Sequence, residues 1–131
     1  MNLEEDYKMA LNVRRRALPG SCGYKVGAIL EAKSGKKYSG CNIDNHDIQS
    51  ICAERVAFVK ALSEGENDFE SIIVVGGKED NLERCLPCGY CRQFMSQFVD
   101  AKKFKVYAIY NDKAEEYKLE ELLPYGFKFE G

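Results

Sequence analysis

The 131-residue chain contains no apolar run near the roughly 20 residues of a membrane span, so a membrane partner is not expected. It has no repeat, no low-complexity stretch and no composition shift that would mark a linker, which predicts one domain over 1–131, large enough to bury a core. Its formal net charge is −2, so there is no basic footprint for nucleic acid. Lys33, Lys36 and Lys37, and Lys102, Lys103 and Lys105, read as solvated loop edges. Met1 to Ala10 is charged and lacks the apolar core of a secretory signal. A reducing, cytoplasmic setting is therefore expected, and the six cysteines are read as thiols rather than three disulfides. Only one histidine is present; His46 reads as a surface loop residue, with a substrate contact by His46 or Asp47 as the other reading.

What is there alternates between helix and strand. Glu4 to Ala17 reads as a helix with Tyr7, Leu11 and Leu18 on a buried face, broken by Pro19-Gly20. Tyr24 to Glu31 and Lys37 to Cys41 read as strands around the turn Ser34-Gly35. A helix over Ile51 to Ser63 precedes a mostly apolar run, Ser71 to Val75, of the kind buried on both sheet faces. Cys88 to Val99 reads as a helix, Phe104 to Tyr110 and Glu115 to Lys118 as strands, and Asn111-Asp112 as a turn. This order predicts an α/β protein, a three-layer α/β/α sandwich with its ligand site at the sheet edge where helices begin.

The chemistry concentrates in Cys52-Ala53-Glu54 and Pro87-Cys88-Gly89-Tyr90-Cys91. Three thiols from two places suit one Zn2+ with a coordination position left for water, whereas structural zinc takes four protein ligands. A Cys-x-x-Cys step fits the first turn of a helix, where unpaired N–H groups and the helix dipole favour thiolate. Three thiolates on one dication leave a net charge of −1, which Arg55 and Arg92 are placed to balance. Glu54 is not a ligand in this reading. It works on the water as general base and acid, which points to hydrolysis of an amine on a nucleobase. Other readings are a redox pair at Cys88 and Cys91, and a four-thiol structural zinc site recruiting Cys85. The first leaves Cys52 and Glu54 without a role, and the second leaves Glu54 without one. Cys22 and Cys41 remain as free thiols of the buried, apolar sort.

These motifs, about 35 residues apart in the order H/C-x-E then P-C-x-x-C, carry a resemblance. With Val26-Gly27-Ala28, Gly40-Cys41-Asn42-Ile43-Asp44-Asn45, Arg92-Gln93 and Leu122-Leu123-Pro124, the chain resembles the small zinc-dependent cytidine deaminases along nearly its whole length. The resemblance implies a five-stranded mixed sheet with one strand antiparallel to the rest. It implies hydrolysis of cytidine and deoxycytidine to uridine and deoxyuridine plus ammonia in pyrimidine salvage, with one zinc per chain. It also implies backbone contacts to the base at Ala53 and Cys88, sugar contacts from Asn42 and Asp44, and a base-pocket role for Tyr24, for which a core tyrosine is the other reading.

The chain departs from the family in places. Asp44 stands where the family carries Glu, shortening the reach by about 1.5 Å. The 46–51 loop and Gly20-Ser21-Cys22 also differ from the usual runs. These departures leave open a modified cytosine nucleoside such as blasticidin S, whose deaminases share the small fold; a non-catalytic zinc module is the remaining alternative. The resemblance further implies a homotetramer with shared active sites, in which Phe127, shortly after Leu122-Leu123-Pro124, packs on the base bound by a neighbour.

Overall fold

A computed structural model describes residues 2–46 and 48–129. Helix α1, Leu3–Arg14, begins at the cap Asn2, whose side chain accepts from the Glu5 N–H at 3.1 Å. Glu4, Glu5 and Asp6 in its first turn and Arg14 in its last complement the helix dipole. A 3₁₀ turn, Gly20–Cys22, leads into strand β1, Tyr24–Ala32, which forms a hairpin with β2, Lys37–Cys41. A small separate hairpin follows, β3 (Ile43–Asn45) with β4 (Gln49–Ile51). Then come α2 (Ala53–Ser63), β5 (Phe69–Lys78), β6 (Asn81–Glu83), α3 (Gly89–Ser96), β7 (Lys105–Tyr110), β8 (Lys113–Lys118) and α4 (Leu119–Leu122).

The main sheet runs β2-β1-β5-β7-β8, with β6 paired to Gly76, Gly77 and Lys78 of β5 on its β7 side, beyond the last β5–β7 pair at Val74. Helix α1 covers one face, where Ala10 and Val13 pack against Ile29, Ile73, Val75, Tyr107 and Ile109. Helices α2 and α3 cover the other, where Ala57, Phe58, Ala61 and Met95 pack against Ala28, Leu30, Ile72, Val74 and Val106. The three-layer α/β/α sandwich expected from the sequence is the architecture observed. Two strand glycines let the helices approach this closely. A Cβ on Gly40 would lie 2.3 Å from the Ala53 carbonyl oxygen of α2, and one on Gly27 would lie 2.3 Å from the Ala10 carbonyl oxygen of α1.

Several expectations are corrected. The sheet is mixed, but its strand directions are not one against the rest. Only β5 and β7 are parallel, while β1–β2, β1–β5 and β7–β8 are antiparallel. The reason is the two-residue link between β7 and β8, too short for the crossover that a parallel pair needs. The main sheet also holds a sixth short strand, β6. Tyr7 and Leu11 pack against the core of the α1 face but are only half-buried, and Leu18 is 60 % exposed beyond the helix end. Helix α1 buries Asp6 and Arg14 beside Ala10 and Val13. Arg14 donates to the Lys25, Gly77 and Glu79 carbonyls. Asp6 receives Lys37 at 2.6 Å, so Lys37 is not a free loop-edge lysine. Among the described residues no helix is long and apolar enough to cross a membrane.

Candidate metal centre and pocket

Two helix starts meet at one end of the sheet. Cys52 is the N-cap of α2 and Cys88 the N-cap of α3. Cys91 lies in the first turn of α3, and its backbone N–H donates to Cys88 Sγ at 3.5 Å. The sulfur separations are 3.7 Å for Cys52–Cys88 and 3.5 Å for Cys88–Cys91, and all three lie within 4.8 Å of one another. Tetrahedral zinc with bonds of about 2.3 Å sets sulfurs about 3.8 Å apart, so this donor set fits the ion. Cys85 is not part of the cluster. Its thiol is pushed up to about 12, first by burial and then by the Glu54 charge. All six cysteines are unbridged; Cys22 is exposed and Cys41 half-buried, so neither is the fully buried apolar thiol expected.

The Cys52 thiol is drawn down to about 5, mainly by the hydrogen bond from Cys91, with further help from Arg55. Arg55 reaches Cys52 Sγ at 3.8 Å and the Ser50 carbonyl at 3.2 Å, and lies over the Tyr90 ring at 4.2 Å. Arg92 turns elsewhere: its guanidinium donates to the Pro87 carbonyl at 2.7 Å and the Leu122 carbonyl at 2.8 Å. Arg55 is thus the cation at the thiols, while Arg92 ties the approach to α3 to the end of α4.

Glu54 is 3 % exposed, in the first turn of α2 beside the cluster. Burial raises its carboxyl to about 7, opposed by its own backbone N–H and by Arg55, with the Cys52 charge adding to the rise. A group with that pKa can both take and give a proton at neutral pH.

A pocket of about 220 Å³ opens beside it, lined by residues that include Tyr24, Asn42, Asp44, Cys52, Ala53, Glu54 and Cys88. Asn42 is held by β1: its Oδ1 accepts from the Val26 N–H and its Nδ2 donates to the Tyr24 carbonyl, both at 2.8 Å. One amide hydrogen and one lone pair remain for a ligand. The Asp44 carboxylate sits under the 3₁₀ turn, 2.1 Å from where a Cβ on Gly20 would lie. The Tyr24 phenol is raised well above its usual range by burial, then by Cys85 and Glu83, to both of which it hydrogen-bonds. Phe127 does not line this pocket; it is 59 % exposed and stacks edge-on against Phe129 at 5.3 Å. His46 is exposed at φ 50, and Asp47 lies outside the described residues. Sequence reasoning gave no role to Tyr90 or Glu83. Tyr90 lies inside the quoted motif, where its spacing from Cys88 offered a signal; the link of Glu83 to Tyr24 depends on β6 and had none.

A family model described as "Cytidine and deoxycytidylate deaminase zinc-binding region" matches residues 1–108. The chain is 34 % identical over 131 residues to a cytidine deaminase of Sporosarcina psychrophila, covering 99 % of this chain and 94 % of that one. It is 36 % identical over 124 residues to a cytidine deaminase of Halalkalibacterium halodurans, covering 94 % and 92 % respectively. The crystal structure of cytidine deaminase from Burkholderia pseudomallei superposes with a TM-score of 0.83 at 31 % identity, covering 97 % of this chain and all of that one.

Proposed function

We infer the reaction from one premise: the chain belongs to the cytidine and deoxycytidylate deaminase family. It is a zinc enzyme that hydrolyses cytidine to uridine and ammonia. The observation that carries the assignment to these residues is the buried Glu54 carboxyl beside three clustered thiols at a pocket.

In this reading Cys52, Cys88 and Cys91 hold the zinc. When bound, the metal supplies the Lewis acidity that makes water a usable nucleophile at neutral pH. The remaining work falls to the protein. Glu54 takes a proton from the attacking water and delivers it to the ring nitrogen beside C4, so that charge does not build on the ring. A second proton passes through Glu54 to the exocyclic amine. The C4–N bond then breaks, the C4–O bond remains, and ammonia leaves. Arg55 offsets the negative charge at Cys52, and the Ala53 and Cys88 backbones border the base. Asn42 and Asp44 bind the sugar, and Tyr24 forms part of the wall.

The pocket also favours a nucleoside over a nucleotide. Among the described residues its charged lining residues are Asp44 and Glu54, with no lysine or arginine to meet a 5′-phosphate. We propose cytidine and deoxycytidine as substrates, in cytoplasmic pyrimidine salvage by a single-domain protein. We also propose a homotetramer in which Phe127 of one copy covers the base held by another. The exposed tail aromatics Tyr125, Phe127 and Phe129, at 96 %, 59 % and 73 %, support this arrangement.

Ammonia release tests the reading. Cytidine and deoxycytidine should turn over, and deoxycytidylate should be poor. Glu54→Gln should keep its zinc and lose at least the 10²–10⁴-fold (about) that general acid–base assistance provides. Near-parental turnover in that variant would remove Glu54 from the mechanism. Light scattering showing a fully active monomer would refute the shared site.

A further inference from the structure

The C-terminal tail is held by an unusual pairing between a helix and an extended segment. Gln93 Nε2 donates to the Phe127 carbonyl at 2.5 Å, and Gln93 Oε1 accepts from the Phe127 N–H at 3.4 Å. One turn further along, Gln97 repeats the pattern on Phe129, donating at 3.1 Å and accepting at 3.0 Å. Each carboxamide thus offers a donor and an acceptor to one residue of the tail, as a neighbouring strand would. The spacings match. Four residues of helix rise about 6.0 Å, and two residues of extended chain span about 6.6–6.8 Å. Alternate tail residues therefore fall opposite successive turns of α3.

The alternation sorts the side chains. Lys128, between the two paired residues, reaches Val99 O at 3.2 Å, past the end of α3. Phe127 and Phe129 remain on one side in mutual edge contact, both exposed. The pairing is also braced from within α3. Ser96 Oγ donates to the Gln93 carbonyl at 2.6 Å and receives Gln93 Nε2 at 3.2 Å, limiting the rotamers open to Gln93.

We propose that Gln93 and Gln97 are positioning residues for the reaction: their side-chain amides fix the tail so that the Phe127 ring is presented to the pocket of a second copy of the chain. This rests on the reading of Phe127 given above. Neither glutamine touches substrate. Their effect passes through the orientation of the Phe127 backbone, whose N–H and C=O both lie in the grip of Gln93. An unheld tail would have to be ordered on each binding event, so the pairing lowers KM by paying that cost in advance.

The test is a double-mutant cycle on the zinc-loaded full chain with cytidine as substrate. Gln93→Glu keeps the shape and the acceptor but removes the donor and sets a carboxylate against the Phe127 carbonyl. Its KM should rise between a few-fold and about tenfold, with kcat within about twofold, the pattern of lost uniform binding. Gln97→Glu, one turn away, should give a smaller rise. In the Phe127→Ala background neither glutamine change should move KM further, because the ring they position is gone. Amide exchange at Phe127 and Phe129 reports separately on whether the tail is released. If KM stays parental while exchange shows a released tail, the positioning role is overturned. The same holds if the glutamine changes raise KM equally with and without the Phe127 ring. If Phe127→Ala itself leaves KM unchanged, the cross-subunit reading fails and the positioning role with it. That outcome is distinct, since in the other two Phe127→Ala still raises KM.

Discussion

Gly40→Ala should damage catalysis far more than a substitution of its size suggests, because Gly40 sets the distance between β2 and the helix that carries Cys52 and Glu54. The added Cβ would meet the Ala53 carbonyl oxygen at 2.3 Å and the Ala57 nitrogen at 2.7 Å, whereas ordinary contact begins near 3.4 Å. Both atoms are helix backbone, so no side chain can swing aside, and α2 must retreat by about 1 Å. Overpacking of this kind costs about 1–3 kcal/mol, a fall in Tm on the order of 5–10 °C for a chain this long. The retreat also moves Cys52 and Glu54 relative to Cys88 and Cys91, and a 1 Å misplacement costs on the order of 10²-fold in rate. Gly27→Ala is the matched control. Its Cβ would meet the Ala10 carbonyl oxygen at the same 2.3 Å, on the opposite face of the sheet against α1, which carries no site residue. Thermal melts and kcat from ammonia release on zinc-loaded protein should show similar losses of Tm for both variants. The roughly hundredfold loss of kcat should appear in Gly40→Ala alone. Equal kcat in the two variants, or a parental kcat in a destabilised Gly40→Ala, would refute the coupling of this contact to the site.

Three further outcomes are expected. Glu31 is buried, and its carboxyl is raised first by that burial and then by the neighbouring Asp6 carboxyl, so the folded chain keeps a proton that the unfolded chain releases. Stability from this group is therefore full below the unfolded value of about 4.3 and is lost as pH rises through the folded value. Glu31→Gln should flatten that fall in melts taken at successive pH values above about 4.3, and parallel profiles would contradict the assignment. Gly20→Ala would set a Cβ 2.1 Å from Asp44 Oδ2 at a φ of 65, so it should raise KM for cytidine several-fold with kcat little changed; an unchanged KM would detach Asp44 from the sugar. Chelation of zinc should abolish turnover and lower stability by about 4 kcal/mol relative to protein held at free zinc a thousandfold above Kd, both reversed by adding zinc back; turnover that survives complete chelation would contradict the metal assignment.

What could be read from the sequence, and what could not, divides along the range of the interactions. The thiol cluster was legible because its spacing is local. Cys88 and Cys91 are one helical turn apart, Cys52 sits two residues before Glu54, and each motif opens a helix wherever the rest of the chain goes. The exclusion of Cys85 was not legible, since it depends on how 85–87 approaches α3 and on burial near Gly76. The direction of β8 was legible from the two-residue turn at 111–112, and the expected sheet pattern contradicted a turn already assigned. The face of α1 was legible only in part, at Tyr7 and Leu11, because the apolar periodicity there runs beside two buried polar groups. Asp6 is paired by Lys37, and Arg14 donates to three carbonyls, so both are buried more fully than Tyr7 and Leu11, which an apolar count does not anticipate. The hairpin β3–β4 left no trace because its residues are mostly exposed, Ile43 and Ile51 among them at 40 % and 44 %, and carry no alternation to detect.

The least legible feature is the one that ties the tail to the metal motif. Gln93 follows Cys91-Arg92 directly, so the residues that join the thiol cluster, anchor Leu122 and grip Phe127 are consecutive on α3. Helical geometry sends their side chains in different directions: Cys91 toward the cluster, Arg92 toward α4 and Gln93 toward the tail. A displacement of α3 would therefore move a thiol, the end of α4 and the Phe127 backbone together. Substitutions that shift α3 as a body should change zinc affinity and KM in concert, whereas Gln93→Glu, which leaves the helix in place, should change KM without changing zinc affinity. A zinc titration of that variant matching the parent while its KM is raised is the expected result. Weakened zinc binding would mean that the tail bears on the position of α3 itself.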